Sequence, residues 1–459
     1  MNLSGIAAEF GAAGLLEPGT ELEFSGPRRW WGGALDDEGL ALGSTALAAA
    51  AVNQLAGKPG WAAVESPAVA AAFNSTGHLR INGEPVRGFA PGSGFFETCD
   101  GWLRTHANYP QHERALLSAL GLDSAGQLAE TLRRLPAWQA AEAITASGGI
   151  AAMVQTRSQW LDSEAGQGAA AGPWVEIQRG AFEPRQHFWT YDPAASRPLE
   201  GLRVLDFTRV IAGPTASRTL AAFGATVLRI DPPQLPEIPG QFIETGFGKL
   251  STELDLRQPA QQKTVHELLA RADVVLTGYR PGALSAFGLD SGQLRECYPQ
   301  LVIGELDAWG YVGPWAQRRG FDSIVQAASG IADLYRADGG TPGALPVQAL
   351  DHATGYGLAA AVLCLLAERQ RQGTAGHARF SLARTAQLLF ELEVPAAPVQ
   401  ELGQVRLGRC PSPAGELQFA LPAFSVAGRP LEFSGPAPAY GSSMPAWPAS
   451  GTVPMTERT

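Results

Sequence analysis

Charge is scarce in this chain: Asp, Glu, Lys and Arg make up 17% of its 459 residues, against about 25% in an ordinary soluble domain. The 34 Lys and Arg are outnumbered by 44 Asp and Glu, giving a formal net charge of -10. That balance excludes the broad basic footprint of a nucleic-acid binder, while leaving room for a local basic pocket around an anionic ligand. Cysteine is scarcer still. Cys99, Cys297, Cys364 and Cys410 lie too far apart for a metal knuckle, and read as four independent thiols in a reducing compartment. The first residues lack a basic stretch and carry Glu9 and Glu17 inside an apolar run, so no secretory signal is expected. The longest apolar run, Leu358–Ala367, falls short of the roughly 20 residues that cross a bilayer. The expectation is a soluble, cytoplasmic protein with no membrane or nucleic-acid partner. Chemical signatures are missing too: there is no G-x-S-x-G elbow, no Walker lysine and no G-x-G-x-x-G after the first strong strand. Serine hydrolase, ATPase and NAD-binding readings are weakened accordingly.

What is present is a core-forming chain, 45% apolar, long enough for about three domain-sized units. From Gly201 the pattern alternates strand and helix. RVLDF (203–207), ATVLRI (225–230), STELDL (251–256), ADVVL (272–276) and 301–306 read as strands, with helices at 216–223 and 258–271 between them. Such alternation predicts an α/β fold with a doubly wound, Rossmann-like parallel sheet, ligand loops lying at the carboxyl ends of the strands. The loop Thr208–Pro214 is the first place to look for a ligand. Residues 1–198 differ in texture, with an Ala-rich helix at 47–55, a hairpin at 95–105 turning on Asp100-Gly101 and a helical stretch at 111–135. The reading divides the chain into a helical segment (1–70), a small α+β domain (71–198), the Rossmann-like domain (199–395) and a partly irregular C-terminal extension (396–459), whose tail from Gly435 lacks periodicity.

Two sets of residues could carry chemistry. In VQALDHATGYG (347–357), Asp351 and His352 fall immediately before a helix expected to open at Ala353. An Asp there is either a cap for backbone N–H groups or a carboxylate held ionised by the helix end and aimed as a nucleophile. The second set is cationic: Arg209, Arg218, Arg229, Lys249, Arg280 and the Arg318-Arg319 pair near strand ends. Together they suggest an anionic, phosphate-bearing ligand, although any one of them could be ordinary solvated charge. His106 and His112 have no Cys or acidic cluster nearby and read as structural or surface histidines, with no metal site.

The stretch GLRVLDFTRVIAGPTASRTLAAFGATVLRID, followed by GKLSTELDLRQP, ADVVLTGYRPGALSAFGL, GPWAQRRGFDSIVQAASGI and PVQALDHATGYGLAAAVLCLLAERQRQG, resembles the family III (CaiB/BaiF) coenzyme A transferases. The resemblance implies coenzyme A bound as an acyl-CoA substrate, a carboxylic acid acceptor, no metal, and a homodimer. It makes Asp351 the covalent nucleophile. It also sets Val210, Ala212 and Tyr279 against coenzyme A, with Lys249, Arg280 and Arg319 as its cationic contacts. Departures restrict what carries over. Ile211 replaces a glutamine that engages small diacids, Pro232-Pro233 stands where an arginine commonly meets the cofactor, and Phe321 replaces the racemases' proton-shuttling histidine. A 2-methylacyl-CoA racemase-like isomerase and a CoA-thioester binding protein without transferase activity are the alternatives. The region from Phe95 to about Gln178 resembles the family's smaller domain, which normally follows the large one. With the likeness of Gly43–Gly57 to Gly355–Arg369, this implies a degenerate first copy in which Gly39 matches Asp351.

Overall fold

The short runs rich in Val, Leu and Ile form the strands that their composition predicts. In the computed structural model, which describes residues 3–17, 19–181, 188–338 and 340–448, they build a seven-stranded sheet. Across it the strands are Leu250–Glu253, Thr226–Asp231, Arg203–Asp206, Val274–Thr277, Val302–Asp307, Thr374–Ser381 and Glu176–Ala181. The first six are mutually parallel and the seventh is antiparallel. Successive side chains enter different layers: Val204, Val227, Leu276 and Val302 one core, Leu205, Leu228, Val275 and Ile303 another. A sheet apolar on both faces is covered on both, which explains the continuous hydrophobic runs. Numbered along the chain from Arg203, the parallel strands lie in the order 3-2-1-4-5-6. The order reverses between Arg203–Asp206 and Val274–Thr277, and the loops leaving these two strands open at the crevice where such sheets take ligands.

Four boundaries depart from the sequence reading. The helix expected at 47–55 extends over Asp37–Ala56, and the one expected to open at Ala353 begins at Ala349 and runs to Gln372. Glu176–Ala181, assigned to the small domain, pairs with Thr374–Ser381 as an edge of the large sheet. The helical stretch 111–135 is broken after Leu120, where Gly121 takes a left-handed conformation (φ 65°). The hairpin at Asp100-Gly101 forms as expected, pairing Gly94–Glu97 with Trp102–Thr105, and Ala151–Met153 adds a third strand.

The helix Ala349–Gln372 is the axis of the molecule. It is buried from Ala349 to Arg369, packed between the helices Asp37–Ala56 and Ala212–Ala222. Both it and Asp37–Ala56 are long and apolar enough to cross a membrane by composition, which the count of uninterrupted apolar residues missed. Their apolar residues are spent on each other instead, the hydropathic stretch of the first being wholly buried. Close approach requires Gly355, because a Cβ there would meet the Ala212 carbonyl oxygen and the Thr215 side chain.

The C-terminal extension is woven into the N-terminal part. Phe424–Val426 pairs with Ala62–Val64, and Gly415–Ala420 pairs with Arg80–Ile81. In the tail, Trp447 is buried and donates its indole N–H to the Leu268 carbonyl (3.0 Å); residues 449–459 lie outside the described residues. All four cysteines are unpaired. Gly355→Val should push the two helices apart and cost about 1–3 kcal/mol through overpacking. Urea unfolding checks this, and an unchanged midpoint would contradict the close packing.

Candidate active site

A helix beginning at Ala349 leaves its first N–H groups without intrahelical partners, and its N-cap residue Gln348 offers no side-chain acceptor. The acceptor comes from another element. Asp322, first residue of the helix Asp322–Ser329, takes the N–H of Asp351 (2.9 Å) on Oδ2, receives that of Leu350 as well, and is held by Gln326 on Oδ1. Asp351 is thus the third residue of its helix and is not its cap. It is 5% exposed. Burial, then the charge of Asp322, hold its carboxyl well above the usual range, and burial lifts Asp322 to about 6. The expectation of an aspartate kept ionised by the helix end is therefore reversed: loss of water outweighs the dipole. Beside it, the His352 ring lies 3.3 Å from the Thr215 hydroxyl and 5.2 Å from the Phe73 ring, and burial lowers its pKa to about 4.

The loop after the strand Arg203–Asp206 is fixed from below and from the side. From below, Asp206 accepts from the Thr208 amide (2.8 Å), the Thr208 hydroxyl (2.5 Å) and Ser217. Lys249 sits beneath the same loop, its ammonium on Asp206 (3.3 Å), the Pro214 carbonyl (3.1 Å) and Ser217 (2.6 Å). This differs from its expected place beside coenzyme A. The ammonium is buried and engaged by protein groups, and burial lowers its pKa to about 8. From the side, Glu237 takes the Val210 amide (3.1 Å), Arg229 (3.2 Å) and the Tyr109 hydroxyl. Val210 has φ 69°, a left-handed conformation that a β-branched residue adopts at a cost of about 1–3 kcal/mol.

The remaining candidates divide. Arg218 and Arg229 are internal, paired with Glu244 and with Asp231 and Glu237. Ala212 opens its helix in the core, against Gly355. Tyr279 is half-buried beside the apolar layer under Leu205. Arg318 pairs with Glu142 (2.9 Å). Arg280 and Arg319 are exposed, hold only the carbonyls of Gln317 (3.1 Å) and Gly148 (3.4 Å), and have no acidic partner among the described residues. Burial, then the charge of Arg280, lowers the pKa of Arg319, and burial, then the charges of Arg319 and Arg209, lowers that of His112. Arg209, Arg280 and Arg319 stand on three separate loops, those that follow the strands Arg203–Asp206, Val274–Thr277 and Val302–Asp307, and Arg209 is paired with Glu237 (3.5 Å).

Sequence reasoning missed the contribution of the hairpin domain. His106 and His112 are buried, so the surface option for them is corrected. The His106 ring stacks on Phe321 at 3.9 Å, and that of His112 lies 6.0 Å from it. Burial lowers their pKa values to about 3 and about 4, leaving both neutral. Arg104 projects beside Asp322, whose charge it senses. The alternation in W-L-R-T-H, which puts Arg104 and His106 on one face of a strand, was the available signal.

Comparison with known proteins places the large sheet in a known class. Residues 199–426 match CoA-transferase family III. It is 37% identical over 199 residues to the probable fatty acyl-CoA transferase Rv3272 of Mycobacterium tuberculosis, covering 40% of this chain and 50% of that one. With the human succinyl-CoA:glutarate CoA-transferase it shares 30% identity over 201 residues, 40% of this chain and 46% of that one. A crystal structure of the M. tuberculosis Rv3272 protein aligns with a TM-score of 0.40 at 34% identity, over 42% of this chain and 56% of that chain. The chain thus spans about half the length of the curated relatives it matches.

The raised pKa of Asp351 fixes the sign of a stability effect. A carboxyl whose pKa is higher folded than unfolded costs nothing below its unfolded value, and destabilises progressively as pH rises through the folded one. Asp351→Asn is therefore expected to raise the melting temperature at pH 8 by about 2–4 °C, with the gain shrinking towards pH 4. A gain independent of pH would contradict the shift.

Proposed function

We propose that this protein moves coenzyme A between carboxylic acids, with Asp351 as the covalent nucleophile. The observation carrying this is a desolvated carboxyl in the first turn of a buried helix, in a chain whose Arg280 and Arg319, on loops that follow neighbouring parallel strands, have no acidic partner among the described residues. One Asp351 oxygen attacks the acyl-CoA carbonyl and the carbon–sulfur bond breaks, giving a mixed anhydride and free thiolate. The thiolate then attacks the aspartyl carbonyl of that anhydride and releases the first acid, leaving an aspartyl thioester. The acceptor carboxylate reverses both steps and departs as the new acyl-CoA. Thiolate and carboxylate exchange without net proton transfer, so the sequence needs no base of its own.

The 3-2-1-4-5-6 order supports a Rossmann-like description of the sheet. Arg280 and Arg319, without acidic partners among the described residues, are the proposed contacts for the phosphates of coenzyme A. The backbone at Val210 and Ala212, together with Tyr279, is assigned to coenzyme A by the family resemblance alone. A phenyl ring at Phe321 can neither take up nor release a proton, which disfavours the isomerase.

Asp351→Ala should abolish exchange of labelled coenzyme A into acyl-CoA, and hydroxylamine should trap an acyl-enzyme in the parent protein only; retained exchange in the variant would refute the assignment. Because the nucleophile must be ionised, kcat/KM in the parent should fall with acid from a midpoint above the ordinary carboxylate range. Arg280→Ala and Arg319→Ala should each raise KM for acyl-CoA, by up to about tenfold, with little change in kcat. Steady-state kinetics at low and moderate salt would reveal whether that contact is electrostatic.

A further inference from the structure

Among the described residues, three that are not glycine have a positive φ: Asn82, Val210 and Ala427. Asn82 and Ala427 each precede a glycine in a two-residue hairpin turn, between Arg80–Ile81 and Glu84–Pro85 and between Phe424–Val426 and Arg429–Pro430. The turn itself requires that conformation. Val210 has no such local reason. It lies between a strand and the helix Ala212–Ala222, and a valine, branched at Cβ, is poorly suited to a left-handed backbone. Contacts from outside the loop must hold it there, and strain kept in this way points to a functional position.

The holder is a carboxylate that is itself held from another part of the chain. Glu237, 5% exposed, accepts the Val210 amide (3.1 Å) and Arg229 (3.2 Å) on Oε2. Its other oxygen accepts the Ile238 amide (3.0 Å) and the Tyr109 hydroxyl. Burial opposes the charge of Glu237, but Arg229 and Arg209 outweigh burial. Tyr109 is buried directly before the helix Pro110–Leu120, well outside the matched residues 199–426. Among the described residues its hydroxyl bonds to Glu237 alone. Its ring lies 5.2 Å from the Arg209 guanidinium, which also pairs with Glu237. The rotation of the Glu237 carboxylate is thus fixed from the hairpin side, and that rotation decides whether Oε2 meets Val210.

We propose that Tyr109 is a positioning residue for coenzyme A: through Glu237 it holds Val210 left-handed, and so sets the Thr208–Pro214 loop in the shape that takes the ligand. The proposal rests on the transferase reading above. That loop leaves the strand Arg203–Asp206 where the sheet order reverses, so a change in its backbone alters the crevice directly. Removing the hydroxyl leaves the ring in place, and with it the contact to Arg209. It frees the carboxylate to turn, and Val210 to relax towards the negative φ that it prefers.

The test compares the full-length parent with Tyr109→Phe. Calorimetry with free coenzyme A should show a Kd raised about three- to tenfold in the variant, the range that one lost hydrogen bond commands. Hydrogen exchange at the Val210 amide of the unliganded proteins, read by fragmentation mass spectrometry, should be slow in the parent and about fivefold faster or more in the variant. Glycine enters the left-handed region freely, so adding Val210→Gly to Tyr109→Phe should recover part of the lost affinity. A tyrosine that merely supports the fold would lower the melting temperature without these effects. An unchanged Kd in Tyr109→Phe, or a loss of affinity that Val210→Gly does not reduce, overturns the proposal and leaves transfer itself standing. Should Tyr109→Phe not fold, Glu237→Gln takes its place, keeping an acceptor for the Val210 amide without the charge; the same weakening and rescue support the proposal, and an unchanged Kd refutes it. Whatever the variants do, a Val210 amide that exchanges in the parent as freely as an open loop refutes the hold by Glu237. A parent that binds no coenzyme A defeats the transferase reading and this proposal with it, an outcome distinct from all the others.

Discussion

The site depends on one borrowed cap. The helix Ala349–Gln372 begins in the dry interior with N–H groups that need an acceptor, and the carboxylate of Asp322 supplies it from a neighbouring helix. That bond does two things. It fixes the angle at which the first turn, and so Asp351, enters the crevice, and it sets a second acid against Asp351 in a space that holds little water. The penalty is local and is offset over the remaining length of the helix, where buried apolar side chains contribute roughly 25 cal/mol for each Å² removed from water. A fully buried helix can carry an ill-solvated acid at its tip because so much else holds it in place.

A similar trade shapes the loop after Arg203–Asp206. Val210 is held in a conformation it disfavours because Glu237 takes its amide, and Glu237 stays ionised because Arg229 and Arg209 face it. The segment after Asp231, which looked like a weakened part of the site, provides that acid. Lys249 and Asp206 complete the support from below. Two of the cations that sequence placed against the ligand, Lys249 and Arg229, thus serve the loop, while Arg280 and Arg319 remain available to an anion.

The sheet was legible in the sequence because strands covered on both faces write themselves as short, continuous Val, Leu and Ile runs. Helix starts were read less well: Asp36 caps the first from within its own segment, accepting the Gly39 N–H (3.0 Å), whereas nothing in Gln348–Asp351 announces where the chain turns, since the acceptor lies far away at Asp322. Asp351 was found through its motif and position, whereas its raised pKa follows from burial, which composition does not encode. Arg104 and His106 escaped because their meaning arises only when the hairpin docks on Phe321 and Asp322. Lys249 was misplaced for the same reason, since a lysine in a loop and a lysine under one look alike until the fold is closed.

The pairing of Phe424–Val426 with Ala62–Val64, and of Gly415–Ala420 with Arg80–Ile81, reaches beyond static architecture. These ladders join residues several hundred positions apart, so closing them carries the loop-entropy cost that slows folding of non-local contacts. On a ribosome, the early strands wait with open edges until the last part of the chain emerges. The helix Asp37–Ala56 likewise waits for Ala349–Gln372 to cover it. Synthesis of this protein therefore passes through a long interval in which a 20-residue apolar helix lacks the partner that covers it.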